Sequence, residues 1–121
     1  MRGDERGVPL PRDGKLLGAL FESLVALSVR TYAERVDAEV SHVRTGNGYR
    51  EIDFILERNG AVLAIEAKLA GDVDDHDVRH LVWLRDKLGD DLVDAIVITS
   101  GRHAYRRPDG VAVVPLALLG P

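Results

Sequence analysis

The strongest constraint in this chain is the dipeptide Asn59-Gly60, set between two runs of largely apolar residues. Asn-Gly suits both left-handed positions of a two-residue type I′ turn, so residues 50–57 and 61–69 are expected to fold back on each other as antiparallel strands. With these two residues as the whole loop, Arg58 faces Ala61, and partners further out carry numbers that sum to 119. Asp53 then falls opposite Glu66 on one face, with Cα atoms about 4.5–5.5 Å apart. Lys68 lies two residues past Glu66 and points to the same face. Two carboxylates and an ammonium therefore meet on strands otherwise built from residues such as Ile52, Phe54, Ile55, Leu56, Leu63 and Ile65.

Flanks this apolar are expected of central strands covered on both faces. An unpaired buried charge is expensive, and two facing carboxylates repel, so one should take up a proton unless a cation intervenes. Lys68 can neutralise them in part as a structural ion pair. A divalent cation does so better, and oxygen-only ligands select a hard ion such as Mg²⁺ or Mn²⁺. Such an ion keeps several waters, one of which can attack a phosphodiester while a neighbouring lysine positions or activates it.

The remaining pattern places these strands in a larger order. Residues 1–14 are rich in Gly, Pro and charge without periodicity, as in a linker or arm. Leu16 to about Arg35 is helical, with Leu17, Phe21, Leu24, Val25 and Ser28 on one stripe. Leu20, Leu27 and Val29 widen it, which predicts burial on more than one side. A strand is expected over 36–45, ending at Gly46-Asn47-Gly48. The aspartates at 72, 74, 75 and 77 offer caps for a second helix running to about Leu88 and stopped by Gly89. Asp94–Thr99 and Gly110–Val114 read as further strands, and Pro115–Leu119 as a closing turn of helix. The expected class is α/β, in the order α-β-β-β-α-β-β, with a central mixed sheet flanked by helices.

Length and composition bound the function. At 121 residues, 45% hydrophobic and 30% charged, the chain makes one domain, here residues 15–121. The absence of cysteine excludes disulfides and thiolate metal sites and suits a cytoplasmic setting. The apolar run Leu16–Val29 contains Glu22, is short for a membrane span, and is expected to be a buried helix rather than a membrane segment. A net charge of −4 argues against nucleic-acid binding by bulk electrostatics, although a bound divalent cation would invert the local field.

Asp53 followed by Glu66-x-Lys68, on this element order, resembles the PD-(D/E)XK nuclease superfamily, with Ile52 in place of the proline that names the motif. A nearer resemblance is to the C-terminal domain of unknown function attached to many bacterial and archaeal AAA-type ATPases. It rests on Gly18-Ala-Leu-Phe-Glu-Ser-Leu-Val25, Arg50-Glu-Ile-Asp-Phe54, Ala64-Ile-Glu-Ala-Lys68 and Asp109-Gly-Val-Ala-Val-Val-Pro-Leu116. The resemblance implies a restriction-endonuclease-like core and a site of Glu22, Asp53, Glu66 and Lys68, with the Ala67 main-chain carbonyl joining Asp53, Glu66 and Glu22 around Mg²⁺ or Mn²⁺. It further implies hydrolysis of nucleic acid, with DNA the expected polymer, and an AAA-type ATPase module or a second copy of the chain as partner. The chain itself has no Gly-rich phosphate loop ending in Lys-Ser/Thr.

Weaker signals lie elsewhere. Arg102, Arg106 and Arg107, on a segment with one tyrosine, and Arg44 and Arg50 beside the hairpin, are candidates for a phosphate backbone. His76 and His80 have the i, i+4 spacing of a helical zinc pair but lack a third ligand nearby. Trp83, among Leu81, Val82 and Leu84, reads as core or interface. A non-catalytic module that keeps the fold for nucleic-acid binding or ATPase assembly is the rival expectation.

Overall fold

The first helix, α1 (Gly14–Val36), begins where the Asp13 carboxylate accepts the N–H groups of Lys15 and Leu16, at 2.8 and 3.2 Å. It ends at Asp37, which adopts a left-handed conformation (φ 60°) and returns its N–H to the last turn. The structure, a computed structural model, describes residues 13–119. The arm expected over 1–14 therefore lies outside the described residues as far as residue 12, while Asp13 already caps the helix and Gly14 begins it.

Strands β1 (Glu39–Arg44), β2 (Glu51–Arg58) and β3 (Ala61–Lys68) follow, then helix α2 (Arg79–Leu88) and strands β4 (Leu92–Thr99), β5 (Tyr105–Arg106) and β6 (Ala112–Pro115). Short 3-10 turns lie at Gly89–Asp91 and Leu116–Leu119. The strands form one mixed sheet in the order β1-β2-β3-β4-β6-β5. The pairs β1/β2, β2/β3 and β5/β6 are antiparallel, and β3/β4 and β4/β6 parallel. The fold is thus mixed α/β, with a central mixed sheet and two helices. β5 lies in the arginine-bearing segment around Tyr105, where the sequence pattern placed no strand. Two residues paired at a sheet edge carry too little periodicity to be seen in sequence.

The hairpin register is the one set by its turn. Asn59 and Gly60 both have positive φ (53° and 85°), and the pairs from Arg58↔Ala61 to Phe54↔Ile65 are regular. The ladder stops there, one pair short of the expected Asp53–Glu66 match. Against β1, Ser41 pairs with Ile55 and Val43 with Ile52, so Asp53 and Phe54 together oppose His42. That extra residue is a β-bulge, which breaks the period of two and re-aims side chains locally. Its effect shows in the core: Ile52 and Ile55 join one cluster, and Phe54 and Leu56 the other.

The two clusters are the two faces of the sheet, since neighbours in sequence such as Ala64/Ile65 and Val97/Ile98 divide between them. One face packs under Val78, Leu81 and Leu84 at α2. The other packs under Phe21, Val25, Val29 and Ala33, a clean i, i+4 stripe of α1. Burial of α1 on several sides does not occur. Leu16, Leu20, Leu24 and Leu27 are exposed, Leu27 by 65%, because the sheet offers one surface and no further layer among the described residues covers the helix. The 23-residue helix is long and apolar enough to cross a bilayer, so shortness is no argument against a span. What marks it as a core helix is the packing of its buried stripe on β2, β3 and β4.

The aspartates after β3 do not cap α2, whose N-cap is Val78 with no side-chain hydrogen bond. Asp74 and Asp77 instead satisfy each other's main chain, Asp74 N–H to Asp77 Oδ2 (2.8 Å) and Asp77 N–H to Asp74 Oδ1 (2.9 Å). This tight turn leads the chain from the end of β3 into α2. Gly89, at φ 56°, ends the helix as expected.

Candidate functional site

A cleft of about 450 Å³ opens where the end of β3 meets the start of β2, with α1 and α2 at its sides. Its lining includes Glu22 from α1, Asp53 from β2, and Glu66, Ala67 and Lys68 from β3. Residues far apart in the chain are thus brought to one cavity: of these five the hairpin supplies four, and α1 supplies Glu22 from its exposed flank, one position after buried Phe21.

Asp53 is fixed by its bulge and by a hydrogen bond from the Ala67 N–H to Oδ2, at 2.9 Å. Burial raises the Asp53 carboxyl above its usual range; the Ala67 N–H opposes this and the charge of Glu51 adds to it. Glu66 is raised much further, to about 8, first by burial and then by the negative charge of Asp53; Arg79 opposes the shift, and Asp77 and Glu51 add to it. The pair thus shows the tension that two half-buried carboxylates must show without a counter-ion.

Lys68 does not relieve it. Its ammonium is hydrogen-bonded and ion-paired to Asp77 Oδ2, a partner from the turn before α2. Burial pushes the Asp77 carboxyl up, but the Lys68 bond and the Asp74 N–H outweigh it and hold it low. Among the described residues no cation lies within ion-pair distance of Asp53 or Glu66. No group of three or more His, Asp or Glu among them is gathered closely enough to hold a metal by itself. Mg²⁺, however, is commonly held by one or two carboxylates with water in the remaining positions, and the donor set here is of that kind.

Four more polar or charged residues line the cleft that sequence reasoning did not place there: Glu51, Asp77, Arg79 and His80. Asp77 was expected as a helix cap, and His80 carried only its i, i+4 spacing from His76, a pair without a third ligand nearby. His76 and His80 do not share a helix, since α2 starts at Arg79 and His76 sits in the preceding turn. The only sequence signal for this quartet is proximity in the chain to Asp53 and Lys68.

A family model described as a domain of unknown function, DUF4143, matches residues 17–119. The chain belongs to this family. The match runs from the first turns of α1 to the closing 3-10 turn, so it takes in every lining residue of the cleft. No curated protein and no solved structure matches the chain.

In this DUF4143 domain the arginines considered for a phosphate backbone are differently placed. Arg107 is only 10% exposed and donates to the Val73 carbonyl, Asp75 and Asp109, tying the β5–β6 turn to the segment before α2. Arg106 forms a two-pronged pair with Asp94, at 2.9 and 3.0 Å. Arg44 faces Glu51 at 3.4 Å, and Arg102 is exposed. Arg50 lies between aromatic rings, 4.7 Å from the centre of Tyr49 and 5.2 Å from that of Trp83, with Lys87 5.7 Å from Trp83. Trp83 is half-buried beside the α2 core cluster.

Proposed function

We propose that this domain is a divalent-metal-dependent nuclease of the PD-(D/E)XK type, hydrolysing phosphodiester bonds of nucleic acid, with DNA as the first polymer to test. The observation that carries this reading is the meeting of Asp53, Glu66, Lys68 and the Ala67 main chain in one open cleft, with Glu22 at its side. The helix–three strands–helix–strand order, with β3 and β4 parallel, supports a restriction-endonuclease-like topology.

Asp53 and Glu66 would hold Mg²⁺ or Mn²⁺, with Glu22 and the Ala67 carbonyl as further oxygen donors. When bound, such an ion supplies a water of lowered pKa and polarises a phosphoryl oxygen. Glu66 must give up its proton to act as a ligand, so ligand binding at this carboxylate is favoured as pH rises toward 8. Lys68, held at the cleft by Asp77, orients an attacking water and offers its ammonium to charge developing on the phosphate. Asp53 keeps Oδ2 on the Ala67 N–H, which fixes the direction of its carboxylate.

The test is cleavage of a panel of DNA and RNA substrates with Mg²⁺, Mn²⁺ or EDTA. Metal-dependent cleavage that is lost in Glu66→Ala and Lys68→Ala is the expected result. No cleavage under any ion, with both variants indistinguishable from wild type, would sink the enzymatic reading. A second reading, a non-catalytic module for nucleic-acid binding or for assembly with an AAA-type ATPase, draws support from the lack of a ready three-ligand metal group among the described residues and from the net charge of −4. Calorimetric titration with Mn²⁺ separates the two: the nuclease binds the ion and Asp53→Asn abolishes binding, whereas the module shows neither.

A further inference from the structure

A helix of ten residues starts at the cleft without a side-chain cap. The two aspartates that could have capped α2 are engaged with each other, and Asp77 with Lys68 as well. Val78 at the N-cap has no polar side chain to give. The first helical N–H, that of Arg79, makes only a long bond of 3.4 Å to the His76 carbonyl. The positive end of the helix is therefore incompletely satisfied on the side where Arg79 and His80 line the cavity.

His80 is the second and independent observation. It is 8% exposed, lines the cleft, and its Nδ1 is buried with no hydrogen-bond partner among the described residues. Buried polar atoms are nearly always paired, and an orphan on a residue that lines a cavity points to a group that the chain does not itself provide. Burial, with the nearby charges of Arg79 and Arg50, keeps the ring toward its neutral form, in which one nitrogen carries a proton that it can donate. The Arg79 guanidinium, the helix end and an imidazole N–H all suit an oxyanion.

We propose that the start of α2 is a phosphate-binding subsite of the cleft, in which the first-turn main chain, Arg79 and His80 receive a phosphate group of the ligand. This rests on the reading of the cleft as a phosphodiester site and adds the groups that would hold the phosphate opposite the carboxylates. The subsite explains why the aspartates of the preceding turn are diverted from capping: a side-chain carboxylate at the N-cap would fill the position an incoming phosphate needs.

The experiment is an amide and imidazole NMR titration of the full chain with inorganic phosphate, run with and without Mg²⁺. Saturable shifts centred on the Arg79, His80 and Leu81 amides and the His80 ring nitrogens are expected. His80→Phe, which keeps the ring and removes its nitrogens, and Arg79→Gln, at an exposed position, should each weaken phosphate binding on the order of tenfold. The spectrum of each variant reports that it is folded. Phosphate that leaves these amides unmoved, or binds both variants as it binds wild type, overturns the subsite. A Mg²⁺ response at Asp53, Glu66 and Ala67 without any phosphate response at α2 would remove the subsite and leave the metal reading standing. Phosphate binding at α2 without a Mg²⁺ response would uphold the subsite and remove the metal reading.

Discussion

Replacing Glu66 by Gln should change how the stability of this domain depends on pH, in a direction opposite to that of an ordinary carboxylate. The Glu66 carboxyl stands at about 8 in the fold against 4.5 as a free side chain. Between those values the folded chain binds one proton more than the unfolded chain. Stability therefore falls as pH rises, by at most about 1.4 kcal/mol per pH unit from this group. Over the full interval that would amount to about 4–5 kcal/mol. Glu66 is half-buried at an open cleft, so screening by solvent reduces the measurable span to about 2–3 kcal/mol. Gln keeps the shape of the side chain and carries no charge at any pH.

Urea unfolding of wild type and Glu66→Gln in EDTA, from pH 5 to pH 8.5, reads the effect as a difference. The two proteins should be nearly equally stable at pH 5, and the variant should lead by about 2–3 kcal/mol at pH 8.5. Other titrating groups enter both proteins and largely cancel. Asp53 owes its raised value to burial and Glu51, and His80 owes its lowered value to burial and nearby arginines, none of which the substitution removes. A stability difference that stays constant across this range, or that favours wild type at high pH, would refute the account of Glu66 as a carboxylate without a counter-ion. Addition of Mg²⁺ at pH 8 should restore wild type and leave the variant unchanged, if the carboxylates hold the ion.

Other perturbations test the frame around the cleft. Lys68→Met should lower stability at pH 7 by about 1–2 kcal/mol in urea unfolding, because it leaves the Asp77 carboxylate partly buried without its ammonium. Arg107→Ala should remove about 2–3 kcal/mol, since one mostly buried guanidinium joins Val73, Asp75 and Asp109; an unchanged urea midpoint would show that the tie is unimportant. Gly101→Ala would place a Cβ 3.0 Å from the Gly71 Cα, backbone against backbone, and thermal unfolding should register a loss of about 1–3 kcal/mol. Asp77, Asp94 and Asp109 are all held below the usual carboxylate value, so the stability they contribute is present above about pH 4 and should be lost on acidification below it.

The parts of the fold that could be read in advance are those fixed by local chemistry. Asn59-Gly60 determines a turn by its backbone preferences alone, and the turn determines the register of every pair as far as Phe54↔Ile65. Gly89 likewise stops α2 through its own conformational freedom. What failed depended on tertiary context. The exposed leucines of α1 look, in sequence, like the buried ones, because hydropathy does not say how many layers will cover a helix. The bulge at Asp53 is hidden for a related reason: β2 packs residues into both cores, so it has no alternation whose interruption could be noticed.

The same division runs through the cleft. Asp53, Glu66 and Lys68 could be grouped from sequence because a two-residue turn joins their strands. Asp77, Arg79 and His80 could not, because their place depends on how the β3–α2 connection folds. That connection alters the chemistry assigned to the grouped residues. With Lys68 drawn to Asp77, the carboxylate pair lacks the internal neutralisation that a buried ion network would require, and burial together with the charge of Asp53 leaves the Glu66 carboxyl raised. A network serving stability alone would place the ammonium between Asp53 and Glu66, where its charge lowers the energy of both. Holding it instead at the cleft wall leaves the carboxylates to bind a proton or a cation from solution, which is the behaviour expected of a site and not of a core.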